Sequence, residues 1–289
     1  MRHQAYLPPF LERVALKNGQ DPALTVVGET VQIHIRGSKV AEASRTGSYA
    51  SPHGIATLLA PWCRLTGVQD DGTPAISVFN GKLWPQFSMA ESDFVARRGS
   101  LSVGFRHGTV WKDEAGSQSL ITSLTLRATA GPSEGAVLDL TARIANVSPT
   151  TVFLASNVPM LRVVFARALT MQGGGMVRTC ALSGQTTEAE TPLPARTPIL
   201  SATGVIETGT TGLTILDHPI NPGYPVHWQN CRTGDSAIMC ATWASDAELG
   251  ILPMDTLVLQ VRIQTYCGYV DDGWLHARAA DFAHTGVRN

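Results

Sequence analysis

Residues 257–264 read LVLQVRIQ, with Leu257, Leu259, Val261 and Ile263 alternating with Val258, Gln260, Arg262 and Gln264. Successive side chains of a strand point to opposite faces, so this spelling gives one apolar face and one face that carries polar groups. A surface helix would space its apolar residues three and four apart. The same alternation recurs along the chain. Leu138, Leu140, Ala142 and Ile144 alternate with Asp139, Thr141 and Arg143, and Val31, Ile33 and Ile35 with Gln32, His34 and Arg36. Leu120, Leu124 and Leu126 share a face, with Ser123, Thr125 and Arg127 opposite. Turn signals separate these runs at Asp71-Gly72, Asn80-Gly81, Gly131-Pro132 and Gly173–Gly175. Period two broken by frequent turns predicts half-buried antiparallel strands.

Helical signal is sparse. Asp272 is placed to cap a short helix with Leu275, Ala279 and Phe282 on one face, ending before Gly286. Residues 10–18, closed by Gly19, suit another. The sequence therefore predicts an all-β chain, a large antiparallel β-sandwich of jelly-roll or mutarotase-like supersandwich type with few short helices. One domain over residues 1–289 is expected, with a Pro- and Thr-rich loop at 186–198, because the strand pattern resumes after that loop without a change in composition. MLRVVFARAL, residues 160–169, reads as one apolar strand that carries Arg162 and Arg167.

The composition excludes several function classes. With 44% apolar and 16% charged residues among 289, the chain has material for a sizeable core. A formal net charge of −1 argues against a nucleic-acid partner, which calls for a basic stripe. No apolar run approaches the roughly 18 residues of a membrane span. The start, MRHQAYLPPFLERV, lacks a long apolar segment, so a cytoplasmic location is expected. Cys63, Cys180, Cys231, Cys240 and Cys267 form no CxxC pair, which fits reduced thiols better than structural zinc. No glycine-rich loop of dinucleotide spacing follows a strand, so no nucleotide cofactor is expected.

The densest group of reactive side chains is DHPINPGYPVHW, Asp217 to Trp228, at the end of an apolar run. Pro219, Pro222 and Pro225 forbid helix and interrupt any central strand, leaving a stiff loop. His218 suits a general acid or base near neutral pH, or a hydrogen bond that holds the loop. Asp217 continues the face of Leu213 and Ile215, whereas His218 continues that of Leu216, so the pair is not expected to share one ion. Asn221 before a proline favours a turn, and Tyr224 and Trp228 suit either sugar stacking or the edge of a core. His227 follows two residues after Pro225.

Several segments resemble a known family. TGLTILDHPINPGYPVHW (211–228), LPMDTLVLQVRIQTYCG (252–268), LHARAADFA (275–283), RHGTVWKDEAGSQSL (106–120) and MLRVVFARALTMQGGGM (160–176) are similar to blocks of the PmoA-like family, often labelled methane oxygenase PmoA. The label is not literal, since a membrane-embedded oxygenase subunit would need spanning segments. The resemblance implies an all-β sandwich with a link to carbohydrate chemistry. The chain departs from the family where a histidine-rich block is expected, reading SPHGI at Ser51–Ile55 with His53 alone, and where a glutamate is expected, reading ITSLTLRA with Thr125.

The resulting expectation is a carbohydrate-active protein acting on a sugar or glycoside by acid–base chemistry of lyase, hydrolase or epimerase type. His218 would be the base or acid, with His53 or His107 as its partner. Arg162 or Arg167 would steady an oxyanion, and Asn221, Tyr224, His227 and Trp228 would contact the ligand. A non-catalytic binding protein for a sugar or other small ligand, and a tailoring enzyme for a non-sugar molecule, are the alternatives. A divalent metal could draw on His53, His107, His218 and His227 only if distant strands converge.

Overall fold

The computed structural model describes residues 22–45, 53–55, 57–60, 63–65, 76–79, 83–99, 101–131, 135–155, 158–181, 186–188, 195–206, 209–230, 237–243 and 248–285. The helix expected at 10–18 lies outside these residues. The chain opens with β1 (Ala23–Val27), β2 (Thr30–Ile35) and β3 (Ser38–Ser44). Short strands follow, β4 (His53–Ile55), β5 (Thr57–Ala60), β6 (Cys63–Arg64) and β7 (Ile76–Val78). Four long strands come next, β8 (Ser88–Arg98), β9 (Val103–Lys112), β10 (Gln118–Ala130) and β11 (Ala136–Asn146). The second half supplies β12 (Val152–Leu154), β13 (Leu161–Phe165), β14 (Met176–Cys180), β15 (Thr186–Glu188), β16 (Ala195–Arg196) and β17 (Ile199–Ile206). It continues with β18 (Gly209–Asp217), β19 (His227–Asn230), β20 (Ala237–Thr242), β21 (Leu249–Ile251) and β22 (Thr256–Cys267), and closes with helix α1 (Asp272–Ala283).

All described strand pairs are antiparallel, and the fold is a large β-sandwich. The principal sheet has nine strands in the order β15-β14-β17-β18-β22-β11-β10-β9-β8. Sheets of order β1-β2-β3-β5-β6 and β16-β19-β20-β13-β7-β4, with the pair β12-β21, complete the architecture. The alternation read from 257–264 is realised in the register. Val261 lies opposite Leu140 and Gln260 opposite Thr141, so like pairs with like across β11 and β22. Leu124, Leu138, Ile263 and Ile215 face inward and join Val31 and Ile33 of the first sheet and Val163 and Trp228 of the third in one continuous core. Burying each such aliphatic side chain contributes about 1.5–3 kcal/mol, so this shared core holds the layers together.

The outer face of the principal sheet is divided. Over β14, β17, β18 and β22 it is covered by α1, whose Leu275 and Phe282 pack on Cys180, Ile199, Leu216 and Tyr266. The helix cap is Asp271, one residue before the expected Asp272, and its side chain accepts from the Trp274 N–H at 2.7 Å. Asp272 instead accepts from Arg178 Nη1 at 3.1 Å, and Arg178 Nη2 donates to the Val270 carbonyl. That buried guanidinium pins the start of the helix to β14.

Two expected elements differ. The strand carrying Arg162 ends at Phe165, and Arg167 begins a 3-10 turn, Arg167–Leu169, with its side chain exposed. The turn leads to Gly174, whose φ of +79° is left-handed and favours glycine. The segment 186–198 is no single loop. Its ends are β15, paired with β14, and β16, paired with β19, so it crosses from the principal sheet to the six-stranded one. Among the described residues no helix is long and apolar enough to cross a membrane.

Candidate functional site: an arginine-lined cleft on the outer face

Beside α1, the uncovered outer face of β22, β11, β10, β9 and β8 forms a cleft of about 780 Å³. Its chemistry follows from the polar half of the alternation. Arg127 lies between Gly104 and Asp139 in register, and Asp139 lies opposite Arg262. In the next row Thr125 lies between Arg106 and Thr141, and Thr141 opposite Gln260. A third row sets Ser123 opposite Arg143. Six arginines line the cleft, at 97, 98, 106, 127, 143 and 262, and Asp139 is the carboxylate among its lining residues. A near-neutral chain thus carries a concentrated positive site that its net charge conceals.

One ion pair stiffens the wall next to the helix. Arg262 makes a two-pronged pair with Asp139, Nε to Oδ1 at 2.6 Å and Nη2 to Oδ2 at 3.0 Å. Its guanidinium also lies 4.7 Å from the centre of the Phe282 ring, which belongs to α1 and lines the cleft. Arg262 and Asp139 are therefore committed to each other. Among the described residues, no carboxylate lies within salt-bridge reach of Arg106 or Arg127, which face the open volume.

The loop at 217–228 sits behind this floor. Asp217 is buried on the inner face and accepts three hydrogen bonds, from Asn221 Nδ2 at 2.6 Å, Trp243 Nε1 at 3.0 Å and the Val226 N–H at 2.8 Å. Burial pushes its carboxyl up to about 6, and the hydrogen bonds pull the other way, so it is ionised at neutral pH. Asn221 exchanges two bonds with the Gln260 backbone, donating at 2.7 Å and accepting at 2.7 Å, as a paired strand residue would. Asn221 thereby fastens the loop to the strand whose Gln260 lines the cleft. Tyr224 is half-buried, and burial followed by the charge of Asp217 raises its phenol. Trp228 is a core residue at 1% exposure, and His227 meets the Gln229 side chain at 3.3 Å.

The three expected catalytic histidines are distributed differently. His107 lies on the inner face of β9, opposite Leu124 and beside Phe94, and desolvation lowers its pKa. His53 belongs to β4, in the six-stranded sheet. His218 lies on the outer side, beneath α1. Its Nδ1 accepts from the Ile220 N–H at 3.1 Å, and its Nε2 meets the Thr285 carbonyl at 3.0 Å, which fixes the Nε2-protonated neutral tautomer. The ring also packs edge-on against Phe282. His107 and His218 thus occupy opposite faces of one sheet, and His218 is not among the cleft's lining residues but touches two of them, Phe282 and Thr285. Arg162 shares the outward face of β13 with Val164, away from the cleft. Among the described residues no three His, Cys, Asp or Glu side chains are grouped to hold a metal.

Protonating His218 would place an N–H against the Ile220 N–H, and burial lowers its pKa below 6.5. A lowered native pKa means that its stabilising contribution is present above the unfolded value of about 6.5 and is lost as pH falls through the native one. Hydrogen-exchange protection of residues 272–285 is therefore expected to fall between pH 7 and 5 more than that of β10. His218→Ala should lower that protection at pH 7, at a cost of about 1–2 kcal/mol, and its difference from wild type should shrink as pH falls.

The fold and this cleft define a large antiparallel β-sandwich protein with an arginine-lined cleft on one face of its principal sheet. Residues 86–280, more than half of the chain, match the family described as Family of unknown function (DUF6807), and the chain belongs to that family. Among solved structures it is similar to the α-galactosidase from Lactobacillus brevis, at 11% identity and a TM-score of 0.37, over 84% of this chain and 37% of that one. The chain thus spans little more than a third of that protein's length. It is also similar to the Slr1438 protein from Synechocystis sp. PCC 6803, at 10% identity and a TM-score of 0.43, over 90% of this chain and 99% of that one. A third similar structure is an aldose 1-epimerase candidate from Klebsiella pneumoniae, at 10% identity and a TM-score of 0.42, over 90% and 87% of the two chains. A search of the curated proteins gave no match.

Proposed function

We propose that the cleft binds a small anionic saccharide, carrying a carboxylate or a phosphate, and that binding rather than histidine-based catalysis is its primary role. The observation that carries this reading is the set of six arginines around one hydroxyl-lined floor with Asp139 as the lining carboxylate. Guanidinium groups bind carboxylate and phosphate through paired, charge-assisted hydrogen bonds. Thr125, Thr141, Ser123 and Gln260 supply the donors and acceptors that sugar hydroxyls require. Phe282 offers an apolar edge for a ring's carbon face. The resemblance of the 211–228 block to the PmoA-like family, proposed here as kinship, points to the same carbohydrate link. Acid–base work by His218 is disfavoured because both its ring nitrogens are engaged under the helix.

Calorimetric titration at low salt tests the proposal with glucuronate, glucose 6-phosphate and glucose. At least one anionic sugar should bind ten-fold or more tightly than glucose, with affinity falling as salt is added. Equal binding of glucose, or no binding of either anion, would overturn it.

A further inference from the structure

We infer that β8 is a self-complementary edge through which two copies of this chain join their principal sheets. β8 ends the nine-stranded order, is eleven residues long, and has no strand beyond it among the described residues. Its outward-facing Asp93, Val95 and Arg97 are exposed, Val95 at 46%. A long free edge offers unpaired N–H and C=O groups and invites another strand.

The sequence of the edge says which strand fits. About a two-fold axis at Val95, an antiparallel copy places Val95 opposite Val95, Asp93 opposite Arg97 and Arg97 opposite Asp93. Phe94 then meets Ala96 on the inner face, where both are half-buried. Opposite charges across a strand pair attract, and a two-fold axis makes each such pair occur twice. Charges on an edge ordinarily keep other strands away, but with the signs arranged symmetrically about Val95 they admit a second copy and reject most other partners.

The carboxylate of Asp93 now leans over Gly108, where an added Cβ would lie 2.0 Å from its Oδ1. A turn about its χ1 angle brings it to the edge. The joined sheet runs continuously through both copies, with the two clefts side by side, since Arg97 lines the cleft as well as the edge. The partner copy's carboxylate then neutralises Arg97, leaving Arg106 and Arg127 to the ligand. Pairing of the two edges does not depend on what the cleft binds.

Sedimentation equilibrium of the full chain decides it. Wild type should dimerise reversibly. Asp93→Arg and Arg97→Asp should each weaken the dimer about ten-fold or more, because each sets like charges opposite one another twice. The two variants mixed one to one should regain dimer. In that mixed pair the two substituted side chains face each other with opposite charge, and the unchanged Arg97 of one copy faces the unchanged Asp93 of the other. The doubly exchanged chain should dimerise with itself. Circular dichroism should show all four folded, the positions being exposed. A monomeric wild type, single variants that dimerise as wild type does, or a mixture that stays monomeric would overturn the inference.

Discussion

Asp217→Ala is expected to cost about 3–5 kcal/mol of stability, read as a lowered denaturation midpoint at pH 7.5 with an unchanged slope. The residue accepts from three buried donors in three places: the Asn221 side chain, the Trp243 indole and the Val226 backbone. Truncation leaves the Trp243 and Val226 N–H groups without their acceptor and takes one of the two bonds of the Asn221 amide, which keeps its bond to the Gln260 carbonyl, and an orphaned buried donor costs about 1–3 kcal/mol. The removed carboxylate adds a cavity next to Trp243 and Val226, both in the main core. Asp217→Asn should fall between wild type and Ala. Its amide oxygen can still serve Asn221 and Trp243, but its NH₂ must then face the Val226 N–H. The damage should spread to the cleft, because the Asn221 bonds to Gln260 depend on the loop that Asp217 holds. An Asp217→Ala chain at full stability would show that the loop is held by its prolines and apolar packing alone.

That network explains how the sequence was legible for the fold and misleading for the site. Period two at 257–264 and 138–144 is a direct consequence of strand geometry, so the principal sheet could be read from spelling. The same spelling contained the site. Arg127, Asp139, Thr141, Gln260 and Arg262 are the polar residues of those strands, each written beside a core residue. Alternation marks them as the second face, which is solvent in most sheets, and it does not say which second faces are concave. That depends on strand order: β10 and β11 are neighbours in the chain, but β22 joins them from about 115 residues away, and α1 raises the wall beside them. The loop DHPINPGYPVHW attracted attention because it is dense in reactive side chains, yet Asp217 and Asn221 spend their polar atoms on their own backbone and neighbours. Strand parity did separate Asp217 from His218 correctly, since the one faces the core and the other the helix. A signal for the cleft was present in the recurrence of arginine at the polar positions of strand after strand: Arg97, Arg106, Arg127, Arg143 and Arg262. Arg162 fell outside the pattern because its strand belongs to another sheet.

The same register predicts opposite signs for two substitutions that lie opposite one another across β10 and β11. Arg127→Ala should weaken binding of the anionic sugar about ten-fold, and Arg106→Ala with Arg127→Ala about a hundred-fold or more, each guanidinium giving up a charge-assisted contact of about 1.5–3 kcal/mol. Folding stability should change by less than about 0.5 kcal/mol, because these side chains stand outside the core. Asp139→Asn should act the other way. It removes the cleft's lining carboxylate and releases Arg262, now held at 2.6 and 3.0 Å, so anion affinity should rise several-fold while stability falls slightly. The rise should be steepest at low salt, where a partly exposed charge is least screened. A uniform loss of affinity in all three variants would mean that they disturb the shape of the floor, and the charge reading of the cleft would then fail. A gain in Asp139→Asn beside losses in the arginine variants cannot come from general damage to the sheet, since Asp139 and Arg127 are cross-strand neighbours and any distortion of one row would reach both.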